Sequence, residues 1–527
     1  MQKLAALSFD EVGLGSRVFR DYYAGTLPAE CSFSPQVNWK EKIAARASFS
    51  LEKRLALVDI LRRQYGPERV KDVEPMLARL AAPNTFTVTT GHQLSFATGP
   101  LYFLYKIASA IRWAHWLKNQ FPDIDVLPVY WMNSEDHDFE EINHCFISGE
   151  RVSWDTQTPG FATGSMHPAA AAQALEMWAQ HHKVQDIPAI RSLIRIYRES
   201  PDLSAATRRL VHEWMGHEGI LIIDQQDAEL KRLAEPVFTR ELFEQASFEP
   251  VQQMGEKWIQ HGYPLQVQPR PLNLFYHHPA FGRKRIEYHD SQWFVIDTDL
   301  VFSDANQLKA DWEAHPERFS TNVITRPLYQ ETVLPNLAYL GGPAEVHYWL
   351  QYPILFDAFS LPFPTVLMRD SLVLLPAKTF KKWEKMGFTP GDFFKEPNAF
   401  IKTFLQQKEG EGTLDTYQAA LSDIFEQQAQ RAAQVDTTLV AMVRAEGKKA
   451  MDLLAHTEKR ILKAARKKYA IEVGWIQQGF DTVFPEGVFQ ERQLNPLSFS
   501  LTPARFFSTL VHRPWDPGKV EFFVLPD

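Results

Sequence analysis

Two polar stretches that each follow a short apolar segment limit the folds open to this chain. Residues 86–90 (Phe-Thr-Val-Thr-Thr) are β-branched and run into a glycine-containing loop at 91–99, before a helix-like segment. Residues 126–132 form a second apolar segment, which ends in a group of acids and histidines at 133–144. In an open α/β sheet, ligands bind outside the carboxyl ends of the strands, where both polar stretches fall. The pattern predicts an α/β core with a ligand site at one edge of its sheet.

Length and composition narrow the class of protein. A chain of 527 residues is expected to form roughly three units, and 45% hydrophobic residues provide for a sizeable core. A net charge of −8 argues against a generally basic nucleic-acid binder. Cys31 and Cys145 form no paired motif, and no apolar run has the length of a membrane span. We therefore expect a cytoplasmic protein with neither nucleic acid nor a membrane as partner.

The remaining patterns predict the organisation of the chain. Gly219 to Asp224 and Phe363 to Leu367 are typical of buried core strands, and the alternation between 260 and 303 indicates short antiparallel strands. The predicted regions are a helical lead-in that packs on the core at 1–80, a core at 81–380 with insertions near 150–215 and 235–320, a helical coiled coil at 385–470, and a C-terminal segment at 471–527 that folds back on the core.

The predicted coiled coil is based on apolar residues at heptad spacing. Leu421, Phe425, Ala432, Val435, Leu439 and Met442 step by sevens, fours and threes, with Gln428 at the one expected position that is not apolar. The register resumes less regularly after Gly447, so residues 414–468 form either one long helix or a helical hairpin. We expect this region to pair two subunits.

Three groups of residues are candidates for a functional site. The loop with Gly91 and Gly99 precedes a helix and has backbone N–H groups suited to an anion, although a tight turn explains the glycines equally well. It matches neither the Walker nor the dinucleotide fingerprint.

The second group is the set of titratable residues between Glu135 and His144. Such a cluster serves acid–base chemistry or holds a metal, and His137 and Glu141 have the spacing of ligands on one helix face, but no third ligand is evident. The alternative is an acidic helix N-terminus.

The third group lies at 326–348, where Arg326 precedes a segment with Tyr339, Gly341 and Gly342. An arginine in this setting grips a carboxylate through its two-pronged guanidinium group, whereas an ordinary buried loop is the alternative.

Taken together, these segments resemble the bacillithiol biosynthesis cysteine-adding family, the BshC cysteine ligases. The resemblance covers nearly the whole chain. It is carried by Thr-Gly-Pro-Leu-Tyr at 98–102 with Tyr105-Lys106, by the run at 135–144, by Arg-Pro-Leu at 326–328 through 337–345, and by Gln490-Glu491-Arg492 with Asn495-Pro496.

The resemblance implies a fold and a reaction. The fold is α/β, with a Rossmann-like core, two connecting insertions and a C-terminal α-helical coiled coil that forms a homodimer. The reaction is the last step of bacillithiol synthesis, in which the carboxyl of cysteine is joined to the amine of glucosaminyl-malate. The resemblance also implies ATP or another nucleotide, an ADP-type site near the coiled coil and C-terminus, and no metal beyond Mg²⁺.

With the reaction taken from the resemblance and the residues from the clustering of polar groups, the candidate site residues fall into two sets. Asp136, His137 and Asp138 are the candidates for catalysis. The candidates for substrate binding are Gly91, His92, Gln93, Thr98, Gly99, Asn143, Arg326, Gln330, Tyr339, Gly341, Gly342 and Glu345. The His-Ile-Gly-His and Lys-Met-Ser-Lys-Ser signatures of related nucleotidyl-transferase folds are absent, and Gly91-His92-Gln93 is only an approximate counterpart of the first. A metal-dependent hydrolase that uses the cluster at 135–144 and a non-catalytic coiled-coil scaffold are the alternative classes.

Overall fold

The structure, a computed structural model, describes residues 1–31, 37–156, 158–409 and 414–525. The strands are β1 (Gln2–Ser8), β2 (Thr85–His92), β3 (Asp125–Met132), β4 (His144–Ile147), β5 (Glu150–Ser153), β6 (Leu221–Asp224), β7 (Leu274–His278), β8 (Gly282–His289), β9 (Gln292–Val295), β10 (Val301–Phe302), β11 (Phe319–Thr321), β12 (Asn336–Gly341), β13 (Thr365–Met368), β14 (Ser371–Pro376) and β15 (Lys519–Leu525).

The helices outnumber the strands. They are α1 (Arg17–Ala24), α2 (Trp39–Arg46), α3 (Leu51–Leu80), α4 (Leu101–Gln120), α5 (Phe139–Ile142), α6 (Ala169–His181), α7 (Pro188–Glu199), α8 (Leu203–Met215), α9 (Ala228–Leu233), α10 (Glu235–Glu244), α11 (Phe248–Gln260), α12 (Ala305–Ala314), α13 (Thr325–Val333), α14 (Pro343–Trp349), α15 (Pro353–Ala358), α16 (Ala377–Lys385), α17 (Pro397–Glu409), α18 (Leu414–Val435), α19 (Leu439–Lys468), α20 (Ala470–Val483), α21 (Gln490–Gln493) and α22 (Pro503–His512). Among the described residues, no helix is both long and apolar enough to cross a bilayer.

The central sheet has the strand order β13-β12-β2-β3-β6, and all of its strand pairs are parallel. The chain begins the sheet at β2, adds β3 and β6 on one side, and then returns to add β12 and β13 on the other. This is the doubly wound order, with a reversal between β2 and β12. The predicted Rossmann-like α/β core is confirmed.

Helix α4 connects β2 to β3 and packs on the sheet through one apolar face. Ala110, Ala114 and Leu117 of the helix lie in one buried cluster with Phe86 of β2 and Val126 of β3. Helix positions three and four apart share a face, so these residues point together at the strands. This packing fixes the carboxyl ends of β2 and β3 beside each other.

The two long connections between core strands carry structure of their own. Residues between β3 and β6 form the hairpin β4–β5 and helices α6, α7 and α8. Residues between β6 and β12 include the antiparallel sheet β10-β9-β8-β7-β11. The antiparallel strands predicted between 260 and 303 are present, although they begin only at Leu274.

The contacts divide the chain into two compact units. The first contains residues 6–373 and 488–521, and the second contains 374–487 with the ends of β1 and β15. In the first unit, Arg513 pairs with Asp370 at 2.5 Å and with Glu521 at 3.3 Å, and all three side chains are buried. Residues 488–521 are therefore held within the unit that contains the sheet.

In the second unit, α18 and α19 form a helical hairpin rather than one long helix. Residues 436–438 join them, Phe425 lies against Gly447, and Glu426 pairs with Arg444 at 2.9 Å. From Phe425 to Glu426 the residue number rises, whereas their partners go from Gly447 back to Arg444, so the two helices are antiparallel.

The turn also corrects the predicted heptad register. That register continued from Val435 through Leu439 to Met442, but the turn interrupts it, and these three side chains are 79%, 37% and 54% exposed. The interior position near Gln428 is taken instead by Ala429, which is 2% exposed. The contact between α18 and α19 is therefore formed partly by residues outside the predicted heptad positions, and three of the predicted positions are exposed.

Two further elements differ from the predictions. Gln2–Ser8 form a strand within the lead-in predicted as helical, and Asn336–Gly341 form an interior strand of the central sheet in a segment for which no strand is predicted. All six residues of β12 are buried.

Candidate active site

The reversal of strand order places a crevice at the carboxyl ends of β2 and β12. In doubly wound sheets ligands bind at such a point. Gly91 lies near the end of β2 and Gly341 ends β12, so two of the predicted residues are brought to the same edge. A Cβ atom on Gly91 would lie 3.2 Å from the hydroxyl of Tyr339 and 3.4 Å from Nη1 of Arg326. The absence of a side chain at Gly91 allows these two groups to approach.

Arg326 reaches this edge from the second residue of α13. Its Nη1 donates to Oε1 of Gln330 at 3.0 Å, and its guanidinium group lies 5.3 Å from the centre of the Tyr339 ring. Burial lowers the pKa of Arg326, but Tyr339, Tyr348 and Glu345 outweigh that effect and leave its pKa above the ordinary value. The group is therefore a permanent cation. Its Nη2 is buried without a hydrogen-bond partner among the described residues.

Tyr339 and Glu345 are held in place by a buried lysine of α4. Lys106 pairs with Oε2 of Glu345 at 2.5 Å and donates to the carbonyl oxygen of Gly91 at 2.7 Å. Oε1 of Glu345 accepts a hydrogen bond from the hydroxyl of Tyr339 at 2.7 Å, and Oε2 accepts one from N–H of Gly342 at 2.8 Å. The predicted residues Gly91, Gln330, Tyr339, Gly341, Gly342 and Glu345 thus surround Arg326.

The acids of the loop after β3 are bound by separate partners, and they do not converge on a common site. The carboxylate of Glu135 pairs with Lys231, and both side chains are fully buried. Oδ1 of Asp136 accepts from N–H of His137 at 2.8 Å and lies 3.5 Å from Nη1 of Arg283, and Oδ2 accepts from Nε2 of Gln93 at 2.7 Å. Burial raises the pKa of Asp136, but the bond with His137, the charge of Arg283 and the Gln93 amide together bring it well below its ordinary value. Asp136 is therefore a fixed anion at neutral pH.

Arg283 also determines which ring nitrogen of His137 carries the proton. Its Nη1 lies 3.1 Å from Nδ1 of His137, and because a guanidinium group only donates, Nδ1 accepts and the ring proton lies on Nε2. Arg283 is further held by the carbonyl oxygen of Thr321 at 2.6 Å and by the Phe275 ring, 4.0 Å away. The second insertion thereby completes the site begun by the core.

Asp136, Arg283 and Arg326 line a cavity of about 440 Å³ with a strong positive charge. Four arginines and one aspartate line it, and Asn133 Oδ1, Thr321 Oγ1 and Arg326 Nη2 are buried there without hydrogen-bond partners among the described residues. Guanidinium groups bind carboxylates and phosphates in a bidentate manner, so the cavity suits a small anion with several oxygens. The lining residues are Asn133, Asp136, Gln225, Gln268, Arg270, Leu272, Leu274, Phe275, Arg283, Arg285, Thr321, Asn322, Val323, Arg326 and Tyr348.

Sequence reasoning missed the arginines of the second insertion. Arg270, Arg283 and Arg285 are distant in sequence from the core motifs, and no local feature links them to His137. One signal was available, because Arg283 and Arg285 alternate along a short strand and side chains two apart share one face.

Of the predicted site residues, Asp136 and Arg326 line this cavity, and the others lie outside its lining. His92 is buried beside Tyr102 and Phe103, and burial followed by the charges of Lys106 and Arg369 lowers its pKa well below the ordinary value. Asn143 is buried beside His144, and Asp138 is exposed.

The Thr98–Gly99 turn is occupied by the C-terminal segment. Asn495 Nδ2 donates to the carbonyl oxygens of Ala97 and Gly99, and the first N–H of α4, that of Leu101, donates to the carbonyl oxygen of Leu494. This turn contacts protein rather than the cavity.

Within the described residues, no group of three or more His, Cys, Asp or Glu side chains has the arrangement of a metal site. In the loop at 135–138, Glu135 is paired with Lys231, and Asp136 is bound by His137, Gln93 and Arg283.

Comparison with known proteins identifies the family. The family described as bacillithiol biosynthesis BshC, N-terminal Rossmann-like domain, matches residues 3–370, and the corresponding C-terminal coiled-coil domain matches 372–525. A protein of Flavobacterium johnsoniae named "Putative cysteine ligase BshC" is 34% identical over 527 residues, covering 98% of this chain and 99% of its own. A protein of Cytophaga hutchinsonii with the same name is 34% identical over 523 residues, covering 98% of each chain.

A solved structure of Mycobacterium tuberculosis methionyl-tRNA synthetase covers 81% of this chain and 92% of its own at 10% identity, with a TM-score of 0.23, too low to bear on function. The two domain matches and the relatives confirm the resemblance seen in the sequence motifs. This chain, from its parallel sheet to its helical hairpin, belongs to the bacillithiol biosynthesis BshC family.

Proposed function

We propose that this chain is a cysteine ligase that joins the carboxyl of cysteine to the amine of glucosaminyl-malate, as the last step of bacillithiol synthesis. The observation that carries the proposal is the arginine-lined cavity beside Asp136 and His137. The malyl group has two carboxylates, and the cavity offers Arg283 and Arg326 for them, one from the second insertion and one from α13. The two relatives named "Putative cysteine ligase BshC" each match 98% of the chain, which supports the ligase part of the proposal.

The acceptor amine must lose a proton before it attacks the activated carboxyl. We assign this step to His137, because its Nδ1 has a lone pair that can accept the proton. Before the acceptor binds, Nη1 of Arg283 lies 3.1 Å from this nitrogen and occupies the lone pair. A carboxylate that draws Arg283 toward itself would uncover Nδ1, so that acceptor binding and the availability of the base are linked. Asp136 lies 3.6 Å from the same nitrogen, and its negative charge would stabilise the imidazolium that forms.

A nucleoside triphosphate would supply the activation of the cysteine carboxyl. The cavity fits the phosphate oxygens of such a molecule, because Thr321 Oγ1 and Arg326 Nη2 are donors without partners among the described residues, in a positively charged setting. In this proposal Arg270 and Arg285, the more exposed lining arginines, neutralise the negative charge of the phosphate group that activates the carboxyl and leaves when the amine attacks. An additional nucleotide site near the coiled coil and C-terminus stays a prediction.

Thiol profiling of cells that lack this gene tests the reaction. The expected result is loss of bacillithiol and accumulation of glucosaminyl-malate, and both should return to normal when the gene is supplied on a plasmid. Normal bacillithiol in the deletion strain would show that the chain does not make this amide.

We also propose that the protein is a cytoplasmic homodimer paired through α18 and α19. Apolar side chains remain exposed on this hairpin, among them Ile424 at 55%, Val435 at 79%, Met442 at 54% and Leu453 at 68%. A helix face of this kind is stable in water when another helix covers it. A second copy of the hairpin provides a matching face.

Replacing Leu439 and Met442 with glutamate should therefore weaken the dimer without unfolding the hairpin, because both side chains are exposed. Light scattering should give about twice 60.7 kDa for the parent protein and a concentration-dependent decrease for the variant. Lys448 and Lys449 changed to glutamate provide a control with two glutamates at exposed polar positions. A parent protein that is monomeric at micromolar concentration would contradict the proposal.

A further inference from the structure

A second basic cavity lies where helix α3 is broken. Gly66 has φ 69° and ψ 172°, outside the helical region, and Pro67 follows it. A positive φ is strained for residues other than glycine, and proline lacks the N–H that a continuous helix would need, so the two residues fix the break. A cavity of about 320 Å³ lies at this break and is bounded on the other side by α8.

Three arginines line this cavity. They are Arg69 of α3 and Arg208 and Arg209 of α8, and His212 lies one turn further along α8. Among the lining residues that the structure describes, none has a carboxylate; the lining consists of Gln64, Tyr65, Gly66, Pro67, Arg69, Pro201, Ala205, Arg208, Arg209 and His212. Asp72, outside the lining, lies 3.7 Å from Arg69 and 3.3 Å from His212. Among the described side chains, Asp72 is thus the one carboxylate in an ion pair with a lining arginine, against three guanidinium groups.

Arg208 is positioned before any ligand arrives. Its Nη1 donates to the carbonyl oxygen of Ile222 at 2.6 Å, its Nη2 donates to Oε1 of Gln64 at 2.9 Å, and the guanidinium group lies 5.0 Å from the centre of the Tyr65 ring. Gln64 in turn bonds to both backbone polar groups of Asp224 at the end of β6. A side chain held in this way loses little conformational freedom on binding, so more of each contact appears as affinity.

We propose that the cavity formed by Arg69, Arg208 and Arg209 binds the phosphate group of a small molecule. A phosphate group carries close to two negative charges and three strong acceptor oxygens, which matches three guanidinium groups better than a single carboxylate does. Pro67, Pro201 and Ala205 supply an apolar wall for a small organic group attached to the phosphate. The site is separate from the arginine-lined cavity at β2 and β12 and shares no lining residue with it.

Hydrogen–deuterium exchange of the full chain with inorganic phosphate tests the proposal, because it separates the two basic cavities. Phosphate should slow exchange in peptides that cover 61–72 and 201–212. In the variant with Arg69→Gln and Arg209→Gln this protection should disappear, and calorimetry should show at least about ten-fold weaker binding at this site. A variant with Arg151→Gln and Arg505→Gln removes two exposed arginines elsewhere and should keep the protection.

Three results would overturn the proposal. One is that phosphate slows exchange in neither of the two peptides of the parent protein. Another is that phosphate slows exchange in the Arg69→Gln, Arg209→Gln variant as much as in the parent. The third is protection by malate without protection by phosphate, which would make this a carboxylate site. Exchange measured without phosphate shows whether each variant is folded as the parent is.

Discussion

Cells complemented with the His137→Ala variant should make no detectable bacillithiol, although the protein accumulates at the normal level. A positioned acid or base contributes about 100- to 10,000-fold in rate, and His137 is the imidazole beside the arginine-lined cavity. Its side chain is 40% exposed, so truncation removes little packing. The measurement is thiol profiling by mass spectrometry, with the amount of folded protein determined in parallel.

Two companion variants separate charge from shape in the same loop. Asp136→Asn keeps the size of the side chain but removes the anion near Nδ1 of His137, and it should lower bacillithiol formation strongly. Asp138→Asn removes an exposed carboxylate of the same cluster of titratable groups and should lower bacillithiol formation as well. His181→Ala, an exposed histidine of α6, is the matched control and should leave bacillithiol unchanged. Normal thiol levels with His137→Ala would mean that the catalytic group is elsewhere.

The sequence predicts the core strands that have a local signal. β2, β3 and β6 are short, rich in β-branched or aliphatic residues, and bounded by loops, as expected for buried parallel strands. β12 has no such signal, because Asn336, Ala338 and Gly341 are poor strand formers. It is a strand because neighbours on both sides, β2 and β13, satisfy its backbone groups.

The candidate site likewise combines residues that local motifs reveal with residues that only the tertiary structure brings together. Asp136, His137 and Arg326 belong to compact motifs, and the sequence placed them near the ends of strands. Arg283 lies 146 positions from His137, and only the folded second insertion brings its guanidinium group to the imidazole. Contacts of this length depend on tertiary structure and leave no periodic pattern in the sequence.

The helical hairpin illustrates a third limit. A heptad pattern reports which residues share a helix face, but it does not report where a helix ends. The pattern crossed the turn at 436–438 because Val435, Leu439 and Met442 are apolar and suitably spaced. In the structure they are exposed side chains near the tip of the hairpin, which is why they serve as a test of pairing between subunits.

The buried pair of Lys231 and Glu135 should contribute strongly to the stability of the first unit. Both side chains are fully buried, and Nζ of Lys231 also donates to the carbonyl oxygens of Glu317 and Phe319 at 3.1 and 2.7 Å. Lys231→Met leaves the charge of Glu135 without a partner, and removal of one member of a buried pair typically costs about 3–5 kcal/mol. Urea unfolding followed by tryptophan fluorescence should show this loss, whereas Lys309→Met, at an exposed ion pair, should change stability by less than about 1 kcal/mol.

The pH dependence and the double variant distinguish an unpaired charge from a simple loss of packing. Burial raises the pKa of Glu135 above its ordinary value even beside Lys231, and removal of the lysine should raise it further. A raised pKa in the folded state favours folding when the group is protonated. The loss of unfolding free energy in Lys231→Met should therefore be smallest at acidic pH, and it should grow as pH rises through the pKa of Glu135 in the folded protein.

Changing Glu135 to leucine in the same protein removes the unpaired charge and should recover most of the stability at neutral pH. A double variant no more stable than Lys231→Met, with a deficit independent of pH, would mean that the lysine acts through its two carbonyl bonds and its packing, and that the ion pair only holds the loop of Asp136 and His137 in place.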